Sequence, residues 1–247
     1  MIPIRIPIEK LREVNVGSSP KTKILVSWSS GKDSAWALHL LRQEPQYEIV
    51  GLITTINSEV NRVSMHSTRR ALVEMQAQAA GVPLLSVPLP WPCSNEEYER
   101  IMKDVCARAA RQGVAAIAFG DLFLSDIRVY RERQLEGSGL KPLFPLWHIP
   151  TDQLAREMIA AGMRAKLVCV DPKKLAPEFA GRDFDFELLN ELPVGVDPCG
   201  ENGEFHSFVY AGPMFDCEIP VLAGERVERD GFWFFDLVPA PATAPAG

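Results

Sequence analysis

The sequence has few cysteines, no long apolar run and no excess of basic residues, and each absence argues against a class of protein. Its five cysteines, an odd number, are widely spaced and form no C-x-x-C pair, which argues against a zinc knuckle or a redox dithiol. Reduced, partly buried thiols are typical of a cytosolic protein. No apolar run approaches the ~20 residues that span a bilayer, and residues 1–23 lack the continuous apolar core of a signal peptide. We therefore expect a soluble, cytoplasmic protein.

The overall charge argues against nucleic-acid binding. The formal net charge is -6 and the sequence pI is about 5.4, whereas a protein that binds nucleic acid broadly needs a concentrated basic face. We expect neither a nucleic acid nor a membrane as partner. The length of 247 residues, 47% of them hydrophobic, is sufficient for one large core or for a core with a smaller lobe.

Short apolar segments alternate with amphipathic segments through the first half of the chain. The apolar periodicity predicts strands over 24–28, 49–53, 82–87 and 114–119, and helices over 34–42, 68–80 and 95–111, the last with Asn95 as N-cap. This alternation is typical of βαβ units with a parallel sheet. The fold class predicted for this half is α/β, a Rossmann-like domain with helices on both faces of the sheet.

The pattern changes after Gly120. It predicts a charged helix over 125–135, a strand over 143–147, a helix that Thr151 caps and that ends near Gly162, a strand over 165–170, and short strands after Asp171. We predict a nucleotide-binding domain over 1–136, with an irregular lead-in over 1–22, and a smaller α+β substrate-binding domain over 137–238. The Pro/Ala-rich tail 239–247 is expected to be disordered. The aromatic run 232–235 is expected in the core of the second domain or of a homodimer.

The segment Ser29-Ser30-Gly31-Lys32-Asp33-Ser34 has the composition of a phosphate-binding loop. It follows a predicted buried strand and precedes a predicted helix, so it lies at the sheet edge where ligands bind in open α/β folds. The glycine lets a phosphate approach the backbone, the hydroxyls can donate hydrogen bonds, and the lysine and the helix N-terminus supply positive charge. It is not a Walker A motif. The alternative is a serine-rich turn that only caps the helix.

This loop resembles the PP-loop of the N-type ATP pyrophosphatases, usually Ser-Gly-Gly-x-Asp-Ser, with Ser30 in place of the first glycine. Two longer segments are similar to signatures of the diphthine–ammonia ligase family. The first consists of residues 118–126 and the Arg128-x-Tyr130-Arg131 run that follows them. The second consists of residues 195–209. Met65-His66 and the Pro-Leu-Trp run at 145–147 also correspond, so the resemblance extends from about Lys23 to Pro220.

The resemblance implies a HUP-type nucleotide-binding domain, a family-specific C-terminal domain, and ATP and Mg²⁺ as cofactors. In the family's reaction, ATP adenylates the carboxylate of diphthine on translation elongation factor two, and ammonia then gives the amide with release of AMP and pyrophosphate. The partners implied are ATP, a carboxylate acceptor (protein or small molecule) and ammonia. The loop resembles more closely that of bacterial members, and bacteria do not make diphthamide, so a different carboxylate stays open as acceptor. Two alternatives remain: the same chemistry on a small molecule or cofactor precursor, and a non-catalytic module that senses ATP or AMP.

The loop and the resemblance together give three groups of candidate residues. The catalytic candidates are Lys32, Asp121, Glu204 and His206. The nucleotide-binding candidates are Ser29, Ser30, Gly31, Lys32, Asp33, Ser34, His66 and Gly120. The candidates for binding acceptor or ammonia are Arg128, Arg131, Cys199, Gly200, Glu201, Asn202, Gly203 and Ser207. No metal ligand is assigned.

Several of these residues have a structural alternative. Lys32 is expected to offset the charge of the leaving pyrophosphate, or else to be a solvated loop lysine. Asp121 is expected to orient Mg²⁺, ammonia or the ribose, or else to cap the next helix. Glu204 or His206 is expected to be the general base, although a lone histidine is more often structural.

Arg128 and Arg131 are three positions apart on the predicted charged helix, so both project from one face. We expect them to hold a phosphate or an acidic acceptor. The alternative is surface ion pairing with Asp126 or Glu132.

Overall fold

In the computed structural model, which describes residues 20–63 and 68–241, the first half of the chain forms a sheet flanked by helices. The strands are β1 (Thr22–Ser27), β2 (Tyr47–Asn57), β3 (Arg62–Val63), β4 (Leu84–Leu89), β5 (Ala116–Ala118) and β6 (Lys141–Leu143). The helices are α1 (Lys32–Arg42), α2 (Arg70–Ala79), α3 (Asn95–Arg111) and α4 (Ser125–Leu135). β1 lies between β2 and β5, with β4 beyond β2 and β6 beyond β5, and all these pairs are parallel. Only the short β3 runs antiparallel to its neighbour, β2.

Both faces of this sheet are covered, which explains the unbroken apolar sequence of β1. Ile24 and Val26 pack in a cluster that contains Leu38 of α1. Leu25, which points to the opposite face, packs in a second cluster that contains Val105 of α3. The predicted α/β fold with helices on both faces is therefore confirmed.

A separate antiparallel sheet follows in the second half of the chain. Its strands β7 (Arg164–Val170), β8 (Phe205–Ala211), β9 (Val221–Arg229) and β10 (Phe232–Pro239) are arranged in the order β8-β7-β10-β9. The helices α5 (Thr151–Ala160) and α6 (Phe186–Glu191) and a 3₁₀ turn (Pro177–Phe179) accompany it. This part has the α+β character predicted from the sequence.

The expectation of short strands after Asp171 was wrong. β9 has 9 residues and β10 has 8, and they pair from Arg229 and Phe232 outward. The two residues between them, Asp230 and Gly231, have φ angles of 54° and 79°. Asp-Gly in this left-handed conformation is a strong hairpin signal, and it was missed among the many other glycines and prolines.

Three further local predictions need correction. The strand expected over 143–147 is instead Lys141–Leu143, which pairs with β5 in the first sheet. Helix α3 is capped by Ser94 rather than Asn95, because the Ser94 hydroxyl accepts a hydrogen bond from the Glu97 N–H at 3.2 Å. Pro239, expected in a disordered tail, ends β10 and pairs with Val221. Residues 1–19 and 242–247 of the predicted lead-in and tail lie outside the described residues.

A buried glutamine of α2 joins the two sheets. The Gln76 side chain, 0% exposed, donates hydrogen bonds to the carbonyl oxygens of Ser30, at 3.0 Å, and Val209, at 2.7 Å. Its own carbonyl oxygen accepts from the Trp28 indole N–H at 2.9 Å. The Val209 N–H also donates to Ser30 O at 3.1 Å. β8 is thereby held against the segment that follows β1.

Candidate functional site

The predicted phosphate loop connects β1 to α1 and lies at the carboxyl edge of the first sheet. Gly31 is the N-cap of α1 and no side chain caps the helix from that position. The Lys32 N–H instead donates to Ser207 Oγ of β8 at 3.1 Å. The proposal that this segment is only a helix-capping turn is therefore not supported. The hydroxyl-bearing residues Ser29 and Ser34 and the positive end of the helix lie at one cleft, which suits an anion.

Two features explain why the backbone of the loop takes this course. Ser30 has a φ of 73°, a left-handed conformation that favours glycine, and its hydroxyl lies 2.9 Å from Thr68 Oγ1. Gly120, which follows β5, approaches so closely that a Cβ there would lie 2.8 Å from the Asp33 carbonyl carbon. Gly120 therefore packs directly against the backbone of the loop, where a side chain would not fit.

Lys32 is buried rather than solvated, so the alternative of a solvent-exposed loop lysine was wrong. Its side chain is 3% exposed, its ammonium lies 2.8 Å from Asp33 Oδ2, and the rings of Phe184 and Phe205 are 5.8 and 5.6 Å away. Burial lowers the pKa of Lys32, but Asp33 and other nearby groups more than offset this, so the pKa lies above its ordinary value. The phosphate loop therefore contains an ammonium group, paired with the Asp33 carboxylate, in a setting of low dielectric.

A cleft of about 200 Å³ separates the phosphate loop from a loop of the second lobe. Fourteen of its lining residues are candidates predicted from the sequence. They are Ser29, Gly31, Lys32, Asp33, Ser34, Gly120, Asp121, Arg131, Cys199, Gly200, Glu201, Gly203, His206 and Ser207. Residues from both halves of the chain thus meet at one site. The candidates Ser30, Arg128, Asn202 and Glu204 are not in its lining, and His66 lies outside the described residues.

Asp197 and Glu204 shape the second-lobe loop. Asp197 Oδ1 accepts hydrogen bonds from the N–H groups of Cys199, at 2.9 Å, and Glu201, at 3.1 Å. Glu204, 3% exposed, accepts from the Asp197 N–H at 3.0 Å and from the Asn202 amide at 3.1 Å through a single oxygen. Glu204 was expected as a general base, but in this position its hydrogen bonds to Asp197 and Asn202 stabilise the loop.

Glu201 bridges the cleft from the second lobe to the first. Its Oε1 accepts a hydrogen bond from the Leu122 N–H at 2.8 Å. Burial raises the pKa of its carboxyl to about 7; the Leu122 N–H opposes this shift and Asp33 adds to it. A carboxylate that titrates near neutral pH beside a phosphate loop is suited to proton transfer.

His206 and Cys199 also line the cleft. Burial, together with the charge of Lys32, lowers the pKa of His206 to about 4, so the imidazole is neutral at pH 7. Burial raises the pKa of the Cys199 thiol, which lies 3.4 Å from the carbonyl oxygen of Thr151. The thiol is therefore protonated at pH 7 and is not a ready nucleophile.

Only one of the two candidate arginines of α4 reaches the cleft. Arg131 lines it and lies 3.4 Å from Asp121, whose pKa is raised by burial. Arg128 pairs with Glu132 at 2.8 Å and lies 4.8 Å from each ring centroid of Phe144 and Trp147. Surface ion pairing, the alternative considered for Arg128, is what the structure shows.

An adjoining pocket of about 300 Å³ was not foreseen from the sequence. It shares Ser27, Ser29, Phe119 and Arg131 with the cleft, and the rest of its lining comes from Trp28, which follows β1, and from β2, β3, β5, α3 and α4. Those residues are Trp28, Ile53, Thr54, Thr55, Val63, Tyr98, Met102, Cys106, Ile117, Gln134 and Leu135. Thr54 Oγ1 and Gln134 Nε2 are buried and have no hydrogen-bond partner within the described part of the chain. The polar pair Thr54-Thr55 within the otherwise largely apolar second half of β2 is a signal that could have pointed to it.

No group of three or more histidine, cysteine or carboxylate side chains within residues 20–63 and 68–241 is arranged to hold a metal ion. In the same ranges no helix has the length and apolar character needed to cross a bilayer.

Comparison with known proteins gives a family for both halves of the chain. The model of the diphthamide synthase N-terminal domain matches residues 22–142, and that of the C-terminal domain matches residues 150–238. A diphthine–ammonia ligase of Danio rerio is 27% identical over 220 residues, which cover 81% of this chain and 86% of that protein. One of Rattus norvegicus is 28% identical over 140 residues, 55% of this chain and 52% of that protein. The chain thus spans about half the length of the rat relative that it matches. Because the two family models together cover most of the sequence, the chain belongs to the diphthamide synthase family, whose named relatives are diphthine–ammonia ligases.

Proposed function

We propose that this protein is an ATP-dependent ligase that adenylates a carboxylate and forms an amide with ammonia, with release of AMP and pyrophosphate. The observation that carries the proposal is the cleft, in which the charged Lys32 of the phosphate loop faces Glu201 of the second lobe. The names of the relatives, diphthine–ammonia ligases, support the same reaction class.

ATP fits the cleft together with the adjoining pocket. The phosphate loop suits the phosphates, and the pocket beyond Ser29 and Phe119 combines apolar walls with two unpartnered polar atoms, as a site for base and ribose requires. Thr54 and Gln134 would supply those hydrogen bonds. Mg²⁺ commonly binds through substrate phosphates and only one or two carboxylates, so it needs no protein cage. Asp33 and Asp121 are the carboxylates of the first domain that line the cleft and would hold it.

Lys32 has the role of stabilising negative charge on the leaving pyrophosphate. A fixed positive charge in a site from which water is largely excluded is worth far more than one in water. The Phe184 and Phe205 rings and the Asp33 carboxylate hold the ammonium in place before substrate arrives. No reorganisation of the lysine is then needed during the reaction.

Glu201 has the role of general base toward the incoming nitrogen. Ammonium must lose a proton before it can attack an acyl-adenylate, and a base of pKa near the working pH does this best. The pKa of Glu201, about 7, meets that condition, whereas that of His206, about 4, does not. The Leu122 N–H occupies Oε1, which leaves the second carboxylate oxygen for the nitrogen donor.

The proposal is tested by identifying the nucleotide products. The protein is incubated with ATP, Mg²⁺ and ammonium in three arms: alone, with an elongation factor that carries diphthine, and with a fractionated extract of small metabolites. AMP and pyrophosphate formed only in the second arm indicate a protein acceptor. The same products formed only in the third arm indicate a small-molecule acceptor. ADP and phosphate in any arm, or tight ATP binding with no turnover in all three, would overturn the proposal and, in the latter case, favour a sensor.

A further inference from the structure

Strand β9 forms one edge of the second sheet. It pairs with β10 on one side, and within the described residues no strand pairs with its other side. Its second half, Glu225 to Arg229, is exposed throughout and contains no proline. An edge strand of this kind presents a row of backbone N–H and C=O groups that can pair with another strand.

The order of charges along this edge is complementary to itself. When two copies of β9 run antiparallel with the two-fold axis at Val227, Arg226 lies opposite Glu228 of the other copy, and Glu225 lies opposite Arg229. Each contact occurs twice, so four pairs of opposite charge face each other across the junction. Directly opposed residues of opposite charge stabilise antiparallel pairing.

Neighbouring registers lack this complementarity. An axis at Arg226 or at Glu228 places that residue opposite its own copy, so that like charges meet. An axis between Arg226 and Val227 opposes Glu225 to Glu228, and one between Val227 and Glu228 opposes Arg226 to Arg229. Like charges placed directly opposite each other are destabilising. Only the Val227 register matches every charge.

We propose that β9 pairs with β9 of a second copy of this chain about a two-fold axis at Val227, which joins the two four-stranded sheets into one. The guanidinium of Arg226 also donates to the Ala180 carbonyl oxygen at 2.6 Å, which orients the side chain while its other N–H groups still serve a partner. A single strand pair is a small interface, so the dimer forms in a concentration-dependent way. This inference is independent of the proposed ligase activity.

Charge reversal provides the test, with sedimentation equilibrium over a concentration range of about a hundredfold as the measurement. Glu228→Arg and Arg226→Glu each place like charges opposite one another twice, so each is expected to weaken dimerisation about tenfold or more. The double variant R226E/E228R restores opposite charges and is expected to recover the wild-type dimer. Glu136→Arg, an exposed reversal at the end of α4, is the control and leaves dimerisation unchanged.

Three outcomes overturn the inference: a wild-type chain that stays monomeric over the whole range, a dimer that E228R does not weaken, or a double variant as weak as the single ones. Arg226 and Glu228 are exposed, so the substitutions are expected to leave the fold intact. Circular dichroism checks folding, and the ligase assay serves as a second check. Recovery in the double variant is the result that a nonspecific loss of stability does not produce.

Discussion

At the scale of single residues, Lys32 carries the charge on which the proposed chemistry depends. Its ammonium is 2.8 Å from Asp33 and its side chain is 3% exposed, so a neutral side chain of similar length retains most of its packing. We expect Lys32→Met to lower the rate of pyrophosphate release by about 10²–10³-fold, the range found when one preorganised charge or donor is removed. Lys103→Met on the exposed side of α3 is the control and should be close to wild type. A K32M variant whose rate of pyrophosphate release is within tenfold of wild type would show that Lys32 does not have this role.

Glu201 gives the activity a pH dependence with a defined sign. Because the base must be deprotonated and its pKa is about 7, the rate with saturating acceptor should rise as the pH increases through 7. Glu201→Gln keeps an acceptor for the Leu122 N–H but cannot take up a proton. With the concentration of free NH₃ held constant across the pH range, we expect it to lower the rate at pH 8 by about 10²-fold or more and to abolish the rise near pH 7. A rise that persists in E201Q would show that a group other than Glu201 causes the pH dependence.

Ser30 combines a strained backbone with a hydrogen bond, and two substitutions separate the effects. Ser30→Ala retains the left-handed φ of 73° and loses the contact with Thr68, so we expect a loss of about 1 kcal/mol in the free energy of unfolding. Ser30→Gly also loses the contact but relieves a strain of about 1 kcal/mol, so it should be close to neutral. Urea denaturation measures both. Equal destabilisation by the two substitutions would show that the strain is not present.

The roles of individual residues were only partly predictable from the sequence. Glu201 and Glu204 lie on either side of Gly203, and nothing in their order shows which one points into the cleft. The backbone decides it, because Gly200 and Gly203 take left-handed φ angles of 69° and 81° and turn Glu204 inward. Likewise Arg128 and Arg131 are near neighbours on one helix, but the rings of Phe144 and Trp147, distant in sequence, hold Arg128 away from the site.

At the scale of secondary-structure elements, the contact between α2, β8 and the phosphate loop depends on Gln76. Gln76→Leu leaves the buried Trp28 indole N–H without its acceptor and Val209 O without this donor. Because unsatisfied buried polar groups cost about 1–3 kcal/mol each, we expect a loss of about 2–4 kcal/mol in the free energy of unfolding. Gln78→Leu, exposed on the same helix, is the control. Urea denaturation that finds the two variants equally stable would contradict this role for Gln76.

Elements with local signals were predicted well, and those that depend on distant pairing were not. Helix α4 and strand β1 follow from apolar or charged periodicity within about ten residues. β6 has only three residues, one of them Pro142, and is recognisable as a strand only through its pairing with β5. The adjoining pocket was missed for a similar reason, since its lining comes from the ends of elements that are far apart in sequence.

At the scale of the whole molecule, the two lobes complete one site. The phosphate loop of the first lobe and, in the second, the loop 197–204 with the start of β8 enclose the cleft. The hydrogen bonds between Lys32 and Ser207 and between Leu122 and Glu201 cross it. Neither lobe contains both Lys32 and Glu201. The proposed reaction therefore requires the intact chain, in agreement with family models that match both halves.

The central claim is that ATP and a carboxylate react here to give an acyl-adenylate and pyrophosphate. Exchange of radiolabelled pyrophosphate into ATP measures this step without the later attack by ammonia. We expect exchange that requires the acceptor and Mg²⁺, proceeds without ammonium, persists in E201Q and is slowed by about 10²–10³-fold in K32M. Exchange that requires ammonium would contradict this mechanism. So would a lack of exchange in the presence of an acceptor that supports AMP formation.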